Sequence, residues 1–163
     1  MKYIKFIFCF VPLLLAVVAC NQEDDICTEG GSPRMKVKFK RAADGKLARM
    51  DSLTVRILWG TDTLIVAPNV KAVDSVMIPL KVTGDGFTDI LVQTDPKSKT
   101  DISKIKVKYT ESSEYVSPGC GIRKLYDNLD VVQPVAGQGP LKSVDINSNQ
   151  IHNEVKTVLY FNF

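Results

Sequence analysis

The strongest constraint on the fold is a period-two alternation of apolar and polar residues that begins near Met35 and recurs to the end of the chain. Val37 and Phe39 alternate with Lys36, Lys38 and Lys40, and Leu53, Val55, Ile57 and Trp59 alternate with Thr54 and Arg56. Successive side chains of a strand point to opposite faces, so this alternation defines strands with one buried and one wet face. It returns at Val76, Ile78, Leu80 and Val82, at Ile105, Val107 and Tyr109 between Lys104, Lys106 and Lys108, and at Val155, Leu159, Phe161 and Phe163. Shorter strands are expected at residues 63–67, 88–93, 129–132 and 142–146. Between them stand turn formers: Asp44 with Gly45, Gly84 to Gly86, Asp95 with Pro96, and Gly137 to Pro140. The expected fold is all-β: an antiparallel β-sandwich of seven to eight strands, immunoglobulin-like or a related Greek key. A helical turn at residues 122–129 is the one local exception considered. The last strand carries apolar residues on both parities, which predicts a central position. Trp59 shares parity with Leu53, Val55 and Ile57 and is expected in the core.

Residues 1–19 have the form of a signal peptide: a basic start with Lys2 and Lys5, an apolar stretch over residues 6–18, and the small Ala19. That stretch is shorter than the roughly 20 residues a membrane-spanning helix needs. Val17, Val18, Ala19 and Cys20 resemble the lipobox of bacterial lipoproteins, which implies cleavage before Cys20 and acylation of that cysteine. Several acyl chains on one residue make a stable anchor, each buried methylene adding about 0.8 kcal/mol. Glu23, Asp24 and Asp25 follow. As residues alone they form a solvated tether; they also resemble the acidic signal that sends Bacteroidota lipoproteins to the outer face of the outer membrane. The expected organisation is a signal peptide at 1–19, a lipidated cysteine and tether at 20–33, and one β-sandwich domain at 34–163. The expected location is the outer membrane, by lipid anchor, with the periplasmic and cell-surface faces both open.

Loss of Lys2 and Lys5 with the signal lowers the formal net charge from +3 to +1. That leaves no basic footprint for phosphate backbones, so nucleic acid is excluded as a partner. Of the four cysteines, Cys9 lies in the signal and Cys20 takes the lipid, leaving Cys27 and Cys120. In an oxidising envelope two remaining thiols read as a disulfide. Closing so long a loop is worth roughly 4 kcal/mol in the chain-entropy account, with measured bonds often giving less. Neither cysteine sits in a Cys-x-x-Cys setting that would make it redox-active.

Catalytic and metal chemistry has little support. The single histidine, His152, is the only base for a Ser-His-Asp site, and no G-x-S-x-G elbow is present. His152 reads instead as a turn residue among Asn149, Gln150, Asn153 and Glu154. Asp145, Asn147 and Asn149 have the spacing of the first half of a calcium loop. Gln150 stands where the turn glycine belongs, however, and Lys156 where the bidentate acid should be. Neither a cofactor nor a metal is expected. The two lysine ladders, Lys36, Lys38 and Lys40 and Lys104, Lys106 and Lys108, read either as solvated or edge strands guarded by charge or as a cationic face for an anionic glycan or acidic partner. Tyr109, Tyr115 and Tyr126 are the free aromatic candidates for sugar contact.

Cys20, Cys27, the segment from Ser117 to Gly121 and a terminal strand after His152 together resemble an uncharacterised domain-of-unknown-function lipoprotein family of the Bacteroidota, with Gly119 where members usually carry Glu. The resemblance implies export, lipidation and a β-rich domain, and no activity. The expectation is a non-enzymatic outer-membrane lipoprotein acting as an accessory or interaction module for an envelope protein. A polysaccharide- or other ligand-binding lipoprotein is the alternative and a small hydrolase the third reading.

Overall fold

The computed structural model describes residues 31–163. Nine strands follow in chain order: β1 (Met35–Lys40), β2 (Leu53–Trp59), β3 (Asp62–Val70), β4 (Ser75–Ile78), β5 (Phe87–Gln93), β6 (Ser103–Ser117), β7 (Gly121–Val132), β8 (Ser143–Ile146) and β9 (Thr157–Asn162). They form a four-stranded sheet in the order β4-β1-β9-β8 and a five-stranded sheet in the order β3-β2-β5-β6-β7. Every pairing is antiparallel except β1 with β9, where the first and last strands of the fold run parallel. The all-β sandwich is as expected, with nine strands where seven to eight were expected and one parallel pair where all were expected antiparallel. The proposed helical turn at 122–129 is instead part of β7, because alternating Tyr126, Leu129 and Val131 face the core across a bulge at Asn128.

The periodicity acts as predicted in β1, where Met35, Val37 and Phe39 are buried and the lysines lie outward. These residues pack with Leu159 and Phe161 of β9 and with Val55, Ile57, Ile90, Val92, Ile105 and Val107 of the second sheet into one apolar cluster. β9 lies between β1 and β8, which accounts for its apolar character on both parities. The core ends in an aromatic pair, Tyr109 and Tyr126, with ring centroids 5.0 Å apart at 78°. Tyr109 donates its hydroxyl to the Lys81 carbonyl at 3.0 Å, and Thr88 Oγ1 accepts from the Lys81 amide at 3.0 Å while contacting the Tyr109 hydroxyl at 2.8 Å. This small network satisfies polar groups that would otherwise be costly to bury. Burial pushes both phenols up to about 12.

One turn is fixed by a close approach. Gly139 has φ +71°, and a Cβ there would collide with the backbone of Ile102 and Ser103. Only glycine combines that conformation with that proximity. Ser103 completes the joint by donating to the Gln138 carbonyl and accepting from the Leu141 amide, each at 2.9 Å.

Candidate functional site

A sheet edge exposes unpaired amides and carbonyls, so the sandwich has four edges to manage: β4 and β8 in one sheet, β3 and β7 in the other. β4 has only four residues. β8 is capped by one side chain: Gln133 donates Nε2 to the Val144 carbonyl and accepts the Val144 amide on Oε1, both at 2.8 Å. β7 is covered by backbone. Tyr126 and Ile151 exchange two hydrogen bonds, the Leu129 amide reaches the Asn149 carbonyl at 2.9 Å, and the Lys124 amide reaches Ser32 Oγ at 2.9 Å.

Ion pairs lock that cover in place. Arg34 grips Glu154 through Nε to Oε1 and Nη2 to Oε2, both 2.8 Å, and its own amide adds a third bond at 3.0 Å. Those guanidinium hydrogen bonds draw the Glu154 carboxyl down to about 2. His152 Nε2 meets Asp127 Oδ1 at 2.8 Å. Gly31, Pro33, Arg123, His152, Asn153 and Glu154 line an open depression of about 230 Å³ here. Ser112 Oγ also reaches Asp127, at 3.4 Å on Oδ2. The carboxylate therefore lies between hydroxyl and imidazole, whereas a triad needs the imidazole in the middle.

β3 is different. It has nine residues, and among the described residues it pairs only with β2. Leu64 is 49% exposed, Ile65 55% and the neighbouring Trp59 39%. Trp59 is therefore not a core residue. It pairs with Asp62 at the last rung of β2, where the strand ends and the side chain is left 39% exposed. Past Ile65 the ladder is interrupted by two register shifts and Pro68, so the clean open stretch runs over residues 62–65. The unbroken run Leu64, Ile65, Val66 and Ala67 was the available sequence signal, since it breaks the alternation seen elsewhere.

The lysine ladders sit on the outer faces of different sheets, and neither occupies an edge strand. β1 and β6 are both interior, so charge does not serve there to guard an edge. Lys104 and Lys106 share Asp89 at 3.7 and 3.9 Å, and Lys106 lies 4.0 Å over the Phe87 ring. Lys108 stands opposite Asp130. On the other face Lys40 meets Asp145 at 3.4 Å and caps the Tyr160 ring at 3.8 Å, and Lys36 donates to the Val155 carbonyl. The β6 ladder is thus woven into local acids and a ring, and in the β1 ladder Lys40 is the member so engaged. Of the three candidate tyrosines, Tyr109 and Tyr126 are buried because their phenols close the core, and Tyr115 alone is exposed, at 65%.

Cys120 is partly buried in the β6–β7 turn, its amide held by Ser117 Oγ at 3.1 Å and its sulfur already engaged. Cys20, Cys27, the pairing of Cys27 with Cys120, the signal and most of the tether lie outside the described residues. Asp145 and Asn147, from the partial calcium motif, are engaged by Lys40 and by the Thr157 carbonyl.

Fold and edges define a β-sandwich domain that, among the described residues, caps two of its margins, keeps a third to four residues and leaves one apolar strand open. The chain belongs to a family of unknown function, DUF6452, whose profile matches residues 52–163. That span holds β2 to β9, the segment from Ser117 to Gly121 and the terminal strand. No curated protein and no solved structure matches the chain.

Proposed function

We propose that the protein is a non-enzymatic lipoprotein of the outer membrane in a Bacteroidota-type envelope, anchored through Cys20 and stapled by a bond between Cys27 and Cys120. It acts there as an accessory module that receives an extended strand of an envelope protein. The observation that carries this reading is the open β3 edge. Strand addition needs a free ladder and an apolar setting for alternate side chains; residues 63–65 provide the unbroken ladder and the uncharged run 63–67 the setting. The occupant it fits is an uncharged strand with β-branched or aromatic residues. Within the same chain, β8 and β7 are capped by dedicated hydrogen bonds.

The staple is supported by the engaged sulfur of Cys120 and by the entry of the chain at Ser32, beside the strand that follows Cys120. The non-enzymatic reading is supported by the order of Ser112, Asp127 and His152. Among the described residues the exposed aromatics are Trp59, at the end of β2, and Tyr115, far out on the β6–β7 ribbon past the end of β5, so glycan binding gains no shared platform from them.

The test is a photo-crosslinking residue placed at Ile65 in growing cells, with Lys38 on the opposite sheet as control. A discrete adduct with another envelope protein at residue 65, missing at residue 38, is the expected result. An adduct with a second copy assigns the edge to self-association, and no adduct removes the interaction-module reading.

A further inference from the structure

β6 and β7 continue beyond β5 as a two-stranded ribbon. The last pairing with β5 is Phe87 with Lys108, whereas β6 stays paired to β7 out to Ser117 and Gly121. At about 3.3 Å per residue the stretch past Glu111 adds roughly 20 Å. Near its tip, Tyr115 and Ile122 stand directly opposite one another, 65% and 70% exposed. An apolar cross-strand pair far from the core contributes little to folding.

The charges of the ribbon are balanced on the spot. Arg123 pairs with Glu114 at 2.7 Å and Lys124 with Glu111 at 3.8 Å. The ribbon thus carries no surplus negative charge to be repelled by an anionic surface. The chain also enters the fold here, with Ser32 hydrogen-bonded to Lys124 and Pro33 buried. Cys20 precedes Ser32 by twelve residues, a reach of at most about 40 Å. With Cys27 bonded to Cys120, only seven residues separate the anchor from the ribbon's turn, about 23 Å at full extension.

We propose that the tip of the β6–β7 ribbon, through Tyr115 and Ile122, rests on the lipid surface that holds the anchor; this depends on the reading of Cys20 as acylated. The contact is interfacial. A ribbon edge has unpaired backbone groups that hydrocarbon cannot satisfy, whereas a tyrosine ring with its hydroxyl suits the headgroup layer. The tip and tether together fix the orientation of the sandwich, and Trp59 lies two strands from β6, one rung past the Leu58–Asp89–Lys106 row, level with the base of the ribbon and well short of its tip.

The full chain, produced in a lipid-modifying bacterial host, is reconstituted into phosphatidylethanolamine and phosphatidylglycerol vesicles containing dibrominated lipid. Intact mass establishes acylation of Cys20. The native chain has one tryptophan, Trp59, which reports on the sheet at the level of the ribbon's base; Tyr115→Trp in a Trp59→Phe background reports on the tip. The expected result is acylated protein in which bromine quenches the tryptophan at 115 several-fold more than Trp59. Equal quenching on acylated protein overturns the tip contact and leaves the anchor standing. A blue-shifted but unquenched tryptophan at 115 assigns the tip to a protein partner or second copy and also overturns it. Unmodified Cys20 overturns the anchor and the tip contact together.

Discussion

The two margins of the five-stranded sheet receive opposite treatment. At β7 the chain supplies Ile151, Asn149 and Ser32 as backbone or hydroxyl partners and secures them with the Arg34/Glu154 and His152/Asp127 pairs. At β3 no described residue pairs with the outer side, and Leu64, Ile65 and Trp59 lie in solvent. Both are edges of one sheet over one core, so packing alone does not account for the contrast. The covered margin is bound into the stability of the fold, and the open one is free of it. Substitutions on the two sides should therefore separate stability from association.

The largest effect is expected where the covered margin is joined to the incoming chain. Opening the proposed bond by reduction, or by Cys120→Ser, lowers stability by up to about 4 kcal/mol in the chain-entropy account. Urea unfolding of the exported protein with and without reductant reads this directly, and an identical midpoint in both would remove the bond from the description. Next comes Ile151, 1% exposed, whose side chain joins the core while its backbone pairs with Tyr126. Ile151→Ala should lower stability by roughly 2–4 kcal/mol, the range for a buried isoleucine truncated to a cavity. Wild-type stability in this variant would mean that the cover is dispensable.

The Arg34/Glu154 clamp sets a smaller and pH-dependent effect. Glu154 is held down to about 2 in the fold by the Arg34 hydrogen bonds, against an ordinary value near 4.5. A depressed carboxyl contributes fully above its unfolded value and loses that contribution as pH falls through its folded value. The clamp's stabilisation should thus be present above about pH 4.5 and disappear toward pH 2. Its side chains are 51% and 38% exposed, so screening holds the gain to about 1 kcal/mol or less. Glu154→Gln should match wild type near pH 2 and fall below it at pH 7. A constant offset between the two across that range would break the assignment.

The sequence made the sandwich legible because alternation is a local signal: in β1 and β6 each buried residue falls on the predicted parity, and in β2 all but Thr54 do. It misplaced Trp59 because parity tells which face a residue takes and not where along the strand burial ends. The tyrosines failed for a related reason: Tyr109 and Tyr126 meet across a strand pair, and only the register brings their rings within 5.0 Å. The edge devices were invisible in advance. Arg34 and Glu154 are 120 residues apart, and Gln133 reaches Val144 across a turn whose path depends on Gly139. His152 was legible as a turn residue, but its bond to Asp127 again needed the register of β7.

The smallest effect on stability, and the sharpest for function, belongs to the open margin. Ile65 is 55% exposed and stands opposite Arg56 of β2 on the edge strand. Ile65 is more than half exposed and the methylene stem of a lysine can cover the same surface, so Ile65→Lys should keep stability within about 0.5 kcal/mol of wild type. A lysine on an edge opposes strand addition by presenting a charge to the incoming chain. Adducts from a crosslinker at the neighbouring Leu64 should therefore fall away in Ile65→Lys while thermal unfolding is unchanged. If the adducts persist at full yield, the open strand is not where the partner docks; if unfolding shifts by several degrees, β3 contributes to the fold as β7 does and the contrast between the margins fails.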